Sequence, residues 1–181
     1  MDRIKIATVW LGGCAGCHMS FLDLDEFLLD LAGRVEVVYS PIADIKEYPA
    51  GVDLCLIEGA VCNEDNLELL LKVRARTRTL VSFGDCAITC NVTSLRNYLG
   101  AANADRILQR AYIEAAETNP VKPALAGIVP RLLPQVRPVH DVVPVEYFLP
   151  GCPPPAPRIK AFLSNLLDGT PALTGAQLKF G

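Results

Sequence analysis

An excess of charge of either sign is what this sequence lacks: across 181 residues, 17 Lys and Arg face 20 Asp and Glu, a formal net charge of −3. Proteins that grip nucleic acid or anionic membranes carry basic patches, so neither partner is expected. No uninterrupted apolar run is long enough to span a bilayer. The opening MDRIKIATVW alternates like a strand where an exported chain would carry a continuous apolar block. The expected location is therefore the cytoplasm. No internal repeat, low-complexity run or second domain is visible, so residues 1–181 are expected to form one domain.

What is present is apolar. Hydrophobic residues make up 51% of the chain and charged residues 20%, which implies a large core, an apolar surface, or both. Six of the 14 prolines fall between Pro120 and Pro144. That stretch also carries Leu, Ile and Val and does not have the composition of a solvated linker. Residues 119–144 are expected to face a partner.

Apolar patterning predicts strands at residues 3–11, 35–40, 52–58, 79–84 and 143–151. Helices are expected over 19–31, from Asn63 with Glu64 and Asp65 in the first turn, over 103–118, and from Ala156 to Leu167. Strands that are nearly all apolar and alternate with helices indicate a doubly wound α/β domain, with a parallel sheet covered by helices on both faces.

Seven cysteines stand at 14, 17, 55, 62, 86, 90 and 152. An odd number at irregular spacing in a reducing compartment argues for thiolate chemistry over a disulfide framework. Read alone, "CAGCH" matches a c-type haem attachment, or the pair could be a thioredoxin-like dithiol. With Cys86 and Cys90 the pair could also make a zinc tetrathiolate. In open parallel sheets, however, ligands collect beyond the carboxyl ends of the strands. Cys14 and Cys17 follow the first predicted strand, Cys86 the one at 79–84, and Cys152 the last. Each lies beside glycine: Gly12, Gly13 and Gly16, then Gly84, then Gly151. Glycine lets backbone approach a bulky inorganic group. Cys17 should lie at a helix amino end, where the dipole favours thiolate. One [4Fe-4S] cluster held by Cys14, Cys17, Cys86 and Cys152 fits this pattern best. Cys55 reads as a core residue, and Cys62 and Cys90 as small residues near the site. Glu58, at the end of a strand beside the same crevice, is a candidate proton relay or an ordinary capping or solvated acid. His18 could donate to a cluster sulfur or open the helix, and His140 could pack in the proline-rich segment.

The ordered blocks "GGCAGC", "GDCA" and "PGCPP", on a flavodoxin-like pattern, resemble the proximal-cluster domain of [NiFe]-hydrogenase small subunits. The run "RPVHDVVPVEYFLPGCPP" is similar to small subunits of soluble, bidirectional NAD-reducing hydrogenases. This resemblance implies an electron-transfer subunit in an obligate heterodimer with a large subunit that owns the nickel–iron centre. Electrons would pass on to diaphorase subunits carrying further clusters, FMN and the NAD site. The twin-arginine signal and cluster-bearing carboxy-terminal extension of membrane-linked relatives are not matched, so a single cluster is expected. The related quinone-reducing complex I subunit uses two adjacent cysteines in the first block, whereas Cys14 and Cys17 are separated by two residues. A complex I-like role and a zinc-stabilised binding module are thus the alternatives. The first loop also lacks the hydroxyl-rich phosphate loop of flavodoxins and the G-x-G-x-x-G spacing, so this chain is expected to bind no nucleotide.

Overall fold

A computed structural model describes residues 3–100, 103–123 and 127–170. The chain runs β1 (Ile4–Trp10), α1 (Gly16–Leu22), α2 (Phe27–Arg34), β2 (Val35–Tyr39), β3 (Val52–Glu58), β4 (Val61–Asn63), α3 (Glu64–Arg76), β5 (Thr77–Phe83) and α4 (Asp85–Thr89). It continues through a 3-10 segment (Asn91–Leu99), α5 (Asn103–Gln109) with a π-helical turn (Arg110–Glu114), β6 (Leu132–Arg137), a short 3-10 turn (Val139–Asp141), β7 (Tyr147–Leu149) and α6 (Ala156–Leu167).

Five strands form one parallel sheet in the order β2-β1-β3-β5-β7, and β4 pairs antiparallel with β6 in a small second sheet. The side-chain alternation of a strand splits the core in two. Ile6, Leu54, Leu56, Val81 and Phe83 point to the face covered by α1, α2 and α6, where Leu31, Ile159 and Phe162 meet them. Ala7, Val9, Cys55, Ile57 and Leu80 point to the other face, against Leu70 and Val73 of α3 and Ala87 of α4. Both faces of the central strands are thus dry, which is why their sequences read as continuous apolar runs. Each fully buried Leu, Ile or Phe contributes about 1.5–3 kcal/mol. The predicted doubly wound α/β architecture is the observed one.

Asn63 caps α3 as its sequence suggests, its side chain accepting the Asn66 N–H at 2.8 Å. Other boundaries differ from expectation. The helix expected over 19–31 begins earlier and is broken in two: Asp25 adopts φ 49°, a left-handed conformation Asp tolerates, and the turn lets both Leu24 and Leu31 reach the core. The last strand is only three residues, Tyr147–Leu149, not 143–151, because Val143 is buried instead among the residues of the α3 face. The helix expected over 103–118 ends at Glu114.

The proline-rich segment does not hang free in solvent. Its second half packs on its own chain, with β6 paired to β4 and Val136, Val139 and Val143 buried. Residues 124–126 of the segment lie outside the described residues. Among the described residues no helix is long and apolar enough to cross a membrane.

Candidate metal centre

The register of the sheet builds the site. Trp10 pairs with Glu58, Glu58 with Phe83, and Phe83 with Leu149, so the carboxyl ends of four strands form one row. Cys86 stands three residues past Phe83 and Cys152 three past Leu149, while Cys14 and Cys17 lie in the loop and helix after Trp10. The β5–β7 ladder continues into the loops: Gly84 N–H donates to Leu149 O at 2.8 Å and Asp85 N–H to Gly151 O at 2.9 Å. The Asp85 carboxylate completes a reciprocal pair, accepting Gly151 N–H at 2.7 Å. The Ser20 hydroxyl donates to Pro154 O at 2.6 Å and ties α1 to the loop after Cys152.

The four thiols thus follow three strand ends, and Cys17 and Cys86 feel the charge of their neighbours. Burial first, then Glu58 and the Cys86, Cys14 and Cys152 sulfurs, hold the Cys17 thiol well above the usual range. Burial, with Cys152, Cys14, Glu58 and Asp85, pushes Cys86 up to about 11. Cys17 is buried, Cys86 half-buried, and Cys14 and Cys152 are exposed.

Burial and the Glu58 carboxylate therefore outweigh the lowering expected of the helix start at Cys17. Helix α1 has only seven residues, and its first amides already serve a carboxylate: Glu58 accepts Cys17 N–H at 3.4 Å and His18 N–H at 2.9 Å. An anion fixed at the helix start opposes ionisation of a thiol beside it. Burial and neighbouring negative groups thus oppose ionisation of Cys17 and Cys86, whereas a bound metal deprotonates its thiol ligands outright.

Glu58 is 1% exposed and is neither solvated nor free. Besides the two amides it contacts His18 Nδ1, and His18 Nε2, also buried, has no hydrogen-bond partner among the described residues. His140 sits edge-on to Phe148 at 5.4 Å between centroids and is exposed, so it packs on the segment before Cys152.

The donor set suits an iron–sulfur cube. It is all soft sulfur, and it is crowded where backbone must come close: a Cβ at Gly84 would stand 2.2 Å from Cys17 Sγ. Among the described residues no three His, Cys, Asp or Glu side chains converge tightly enough for a single metal ion. A zinc tetrathiolate would also draw on Cys90. That residue packs instead with Ala60, Val136 and Cys62, where burial and the Cys62 sulfur push it up to about 12. Cys55 is wholly buried in mid-strand, a core residue.

Three supporting residues are settled only by the fold. Asp85 at least lies within the "GDC" block; Ser20 and Asn91, whose amide donates to Cys152 Sγ at 3.3 Å, carry no local signal.

Comparison with known proteins establishes the family and the fold. The model of the family described as NADH ubiquinone oxidoreductase, 20 Kd subunit, matches residues 14–166. The chain is 38% identical over 172 residues to the delta chain of the NAD-reducing hydrogenase HoxS of Cupriavidus necator, covering 93% of this chain and 81% of that one. It is 37% identical over 170 residues to a chain of the vhu F420-non-reducing hydrogenase of Methanococcus voltae, covering 93% of this chain but only 58% of the relative. Among solved structures, a chain of an NAD+-reducing [NiFe]-hydrogenase in the H2-reduced state superposes with a TM-score of 0.92 at 39% identity, covering 99% of this chain and 100% of that one. The Ni-Fe-Se hydrogenase of Desulfomicrobium baculatum, at 18% identity and a TM-score of 0.54 over 97% of this chain and 69% of its own, shares the fold.

Proposed function

Because this chain belongs to the NADH ubiquinone oxidoreductase 20 Kd subunit family, we propose that it is the electron-transfer small subunit of a cytoplasmic NAD-reducing [NiFe]-hydrogenase. In this reading one [4Fe-4S] cluster rests on Cys14, Cys17, Cys86 and Cys152. The observation that supports it is the row Trp10–Glu58–Phe83–Leu149, since Cys14, Cys17, Cys86 and Cys152 all follow that row at one edge of the sheet. When bound, the cluster supplies one-electron transfer at a potential set by charge, hydrogen bonds and exposure.

The chain's own residues hold and orient. Asp85 and Ser20 brace the Cys152 loop, Glu58 fixes the start of α1 and with it Cys17, and Gly84 leaves room for the Cys17 sulfur. No residue here is assigned to hydrogen or nickel. The nickel–iron centre belongs to a large subunit, and diaphorase subunits with FMN and further clusters complete the reaction H2 + NAD+ ⇌ NADH + H+. Against a quinone-linked role stand the two residues between Cys14 and Cys17 and the 39% identity to a chain of an NAD+-reducing hydrogenase.

The test is substitution of each thiol by serine in the purified complex. Cys152→Ser is expected to lose iron and hydrogen-dependent NAD+ reduction. Full iron and normal turnover in that variant would reject the ligand set.

A further inference from the structure

The side-chain amide of Asn91 donates to Cys152 Sγ at 3.3 Å, across 61 positions of sequence. An N–H···S distance of this length is an ordinary hydrogen bond to sulfur. Unlike the loops around the cysteines, the donor comes from the start of the 3-10 segment, which the strand-end pattern does not point to.

The segment is built to hold that amide in place. Cys90 and Asn91 are two consecutive non-glycine residues in the left-handed region, at φ 64° and 41°. Asn accepts this conformation more readily than most residues, and such backbone persists only where surrounding contacts impose it. Those contacts are present: Cys90 N–H donates to Cys86 O and Thr93 N–H to Cys90 O, both at 3.1 Å, and the Ser94 hydroxyl donates to Asn91 O at 2.9 Å. Further along, the Asn97 amide exchanges two 2.9 Å hydrogen bonds with the Val136 backbone, fastening the segment to β6. The Asn91 amide therefore meets the sulfur from a fixed base, not as a loose surface side chain.

Reducing a thiolate-bound cluster adds one negative charge. A donor to a ligand sulfur stabilises the more negative state and raises the reduction potential. We infer that Asn91 is a positioning residue that sets the potential of the cluster through its N–H···S bond to Cys152. The inference rests on Cys152 being a ligand, as proposed above.

The experiment is an EPR-monitored redox titration of the purified hydrogenase complex carrying Asn91→Gly or Asn91→Asp. Glycine keeps the left-handed backbone and removes the donor; aspartate keeps the shape and puts a carboxylate where the amide was. At a fixed ambient potential, the reduced-to-oxidised ratio of the cluster is expected to fall about three- to tenfold in Asn91→Gly, with a larger fall in Asn91→Asp and iron content unchanged. An unchanged midpoint in either iron-replete variant overturns the inference. Pulsed EPR on the unsubstituted complex labelled with 15N-asparagine decides the matter even if both variants lose iron: a side-chain nitrogen coupling to the reduced cluster supports it and none rejects it. A Cys152→Ser control separates the two readings. If that control keeps its full cluster, the ligand assignment has failed; if it loses iron while the Asn91 variants titrate normally, only the role of Asn91 has.

Discussion

Gly84 carries a steric demand that can be separated from its backbone demand. It sits at φ 85°, and an added methyl would meet Cys17 Sγ at 2.2 Å; Gly100, at φ 81°, has nothing within 4 Å. Gly100→Ala should therefore cost only the backbone strain of a positive-φ, extended-ψ conformation (φ 81°, ψ −166°) that is essentially glycine-only, about 1–3 kcal/mol in urea unfolding, with iron per chain unchanged. Gly84→Ala carries the same strain and displaces a sulfur, so its iron content should fall sharply under identical purification. Glu58 makes a second residue-scale case. Exchanging its carboxylate for an amide turns one acceptor into a donor facing a backbone N–H, which should cost about 1–3 kcal/mol and lower the Tm of the complex. If Glu58 acts as the cap of α1, hydrogen-dependent dye reduction per folded complex stays normal in Glu58→Gln; a proton relay would lose turnover in protein whose cluster still reduces. The sequence marks Glu58 as worth attention because it ends a strand next to glycine. It cannot reveal the cap, since the amides it serves belong to Cys17 and His18, some forty positions away.

Between elements, the contact of most consequence is the one joining the end of β5 to the end of β7. Asp85 reaches across to Gly151 N–H at 2.7 Å, a charge-assisted bond next to a candidate ligand. Asp85→Ala should speed iron loss to a chelator by about tenfold, followed by the bleaching of visible absorbance. Glu146 links the same pair of strands more superficially, accepting Leu80 N–H at 2.7 Å and pairing with Arg74 at 3.0 Å. Burial alone would raise its pKa, but the Leu80 amide and the Arg74 guanidinium outweigh burial and hold it below its ordinary 4.5. A carboxylate with a depressed folded value contributes stability that is present above its unfolded value and lost as pH falls through the folded one. Glu146→Gln should thus lose up to about 1 kcal/mol at neutral pH, discounted for its exposure, and show a shallower loss of stability below pH 4.5. At this scale the legibility of the fold divides cleanly. Long elements with dry faces, such as β3 and α6, are written in continuous or periodic apolar residues. The short ones are not: β4 and β6 are set by a tertiary pairing, and the break between α1 and α2 turns on the single left-handed Asp25.

The whole molecule is poorly finished as a free-standing surface. Trp10 and Met19, close in sequence to the first two cysteines, are 45% and 60% exposed, and Val92, Leu95 and Tyr98 on the 3-10 segment are 63%, 65% and 88% exposed. Side chains three apart on a 3-10 turn line up along one edge, so the last three make an apolar stripe beginning one residue beyond Asn91. An interface of the obligate kind, burying more than about 2,000 Å², is expected to cover such surface. Expressed alone, the chain should aggregate on size-exclusion chromatography, whereas co-expression with a hydrogenase large subunit should return it to a single species with its iron. If Cys152 is a ligand as proposed, one sulfur donor follows β7, the last strand among the described residues, so the four thiols meet only once β7 has paired with β5. A cluster on those thiols would then be expected to load onto a chain whose parallel sheet is already assembled, and a fragment ending before β7 should retain no iron.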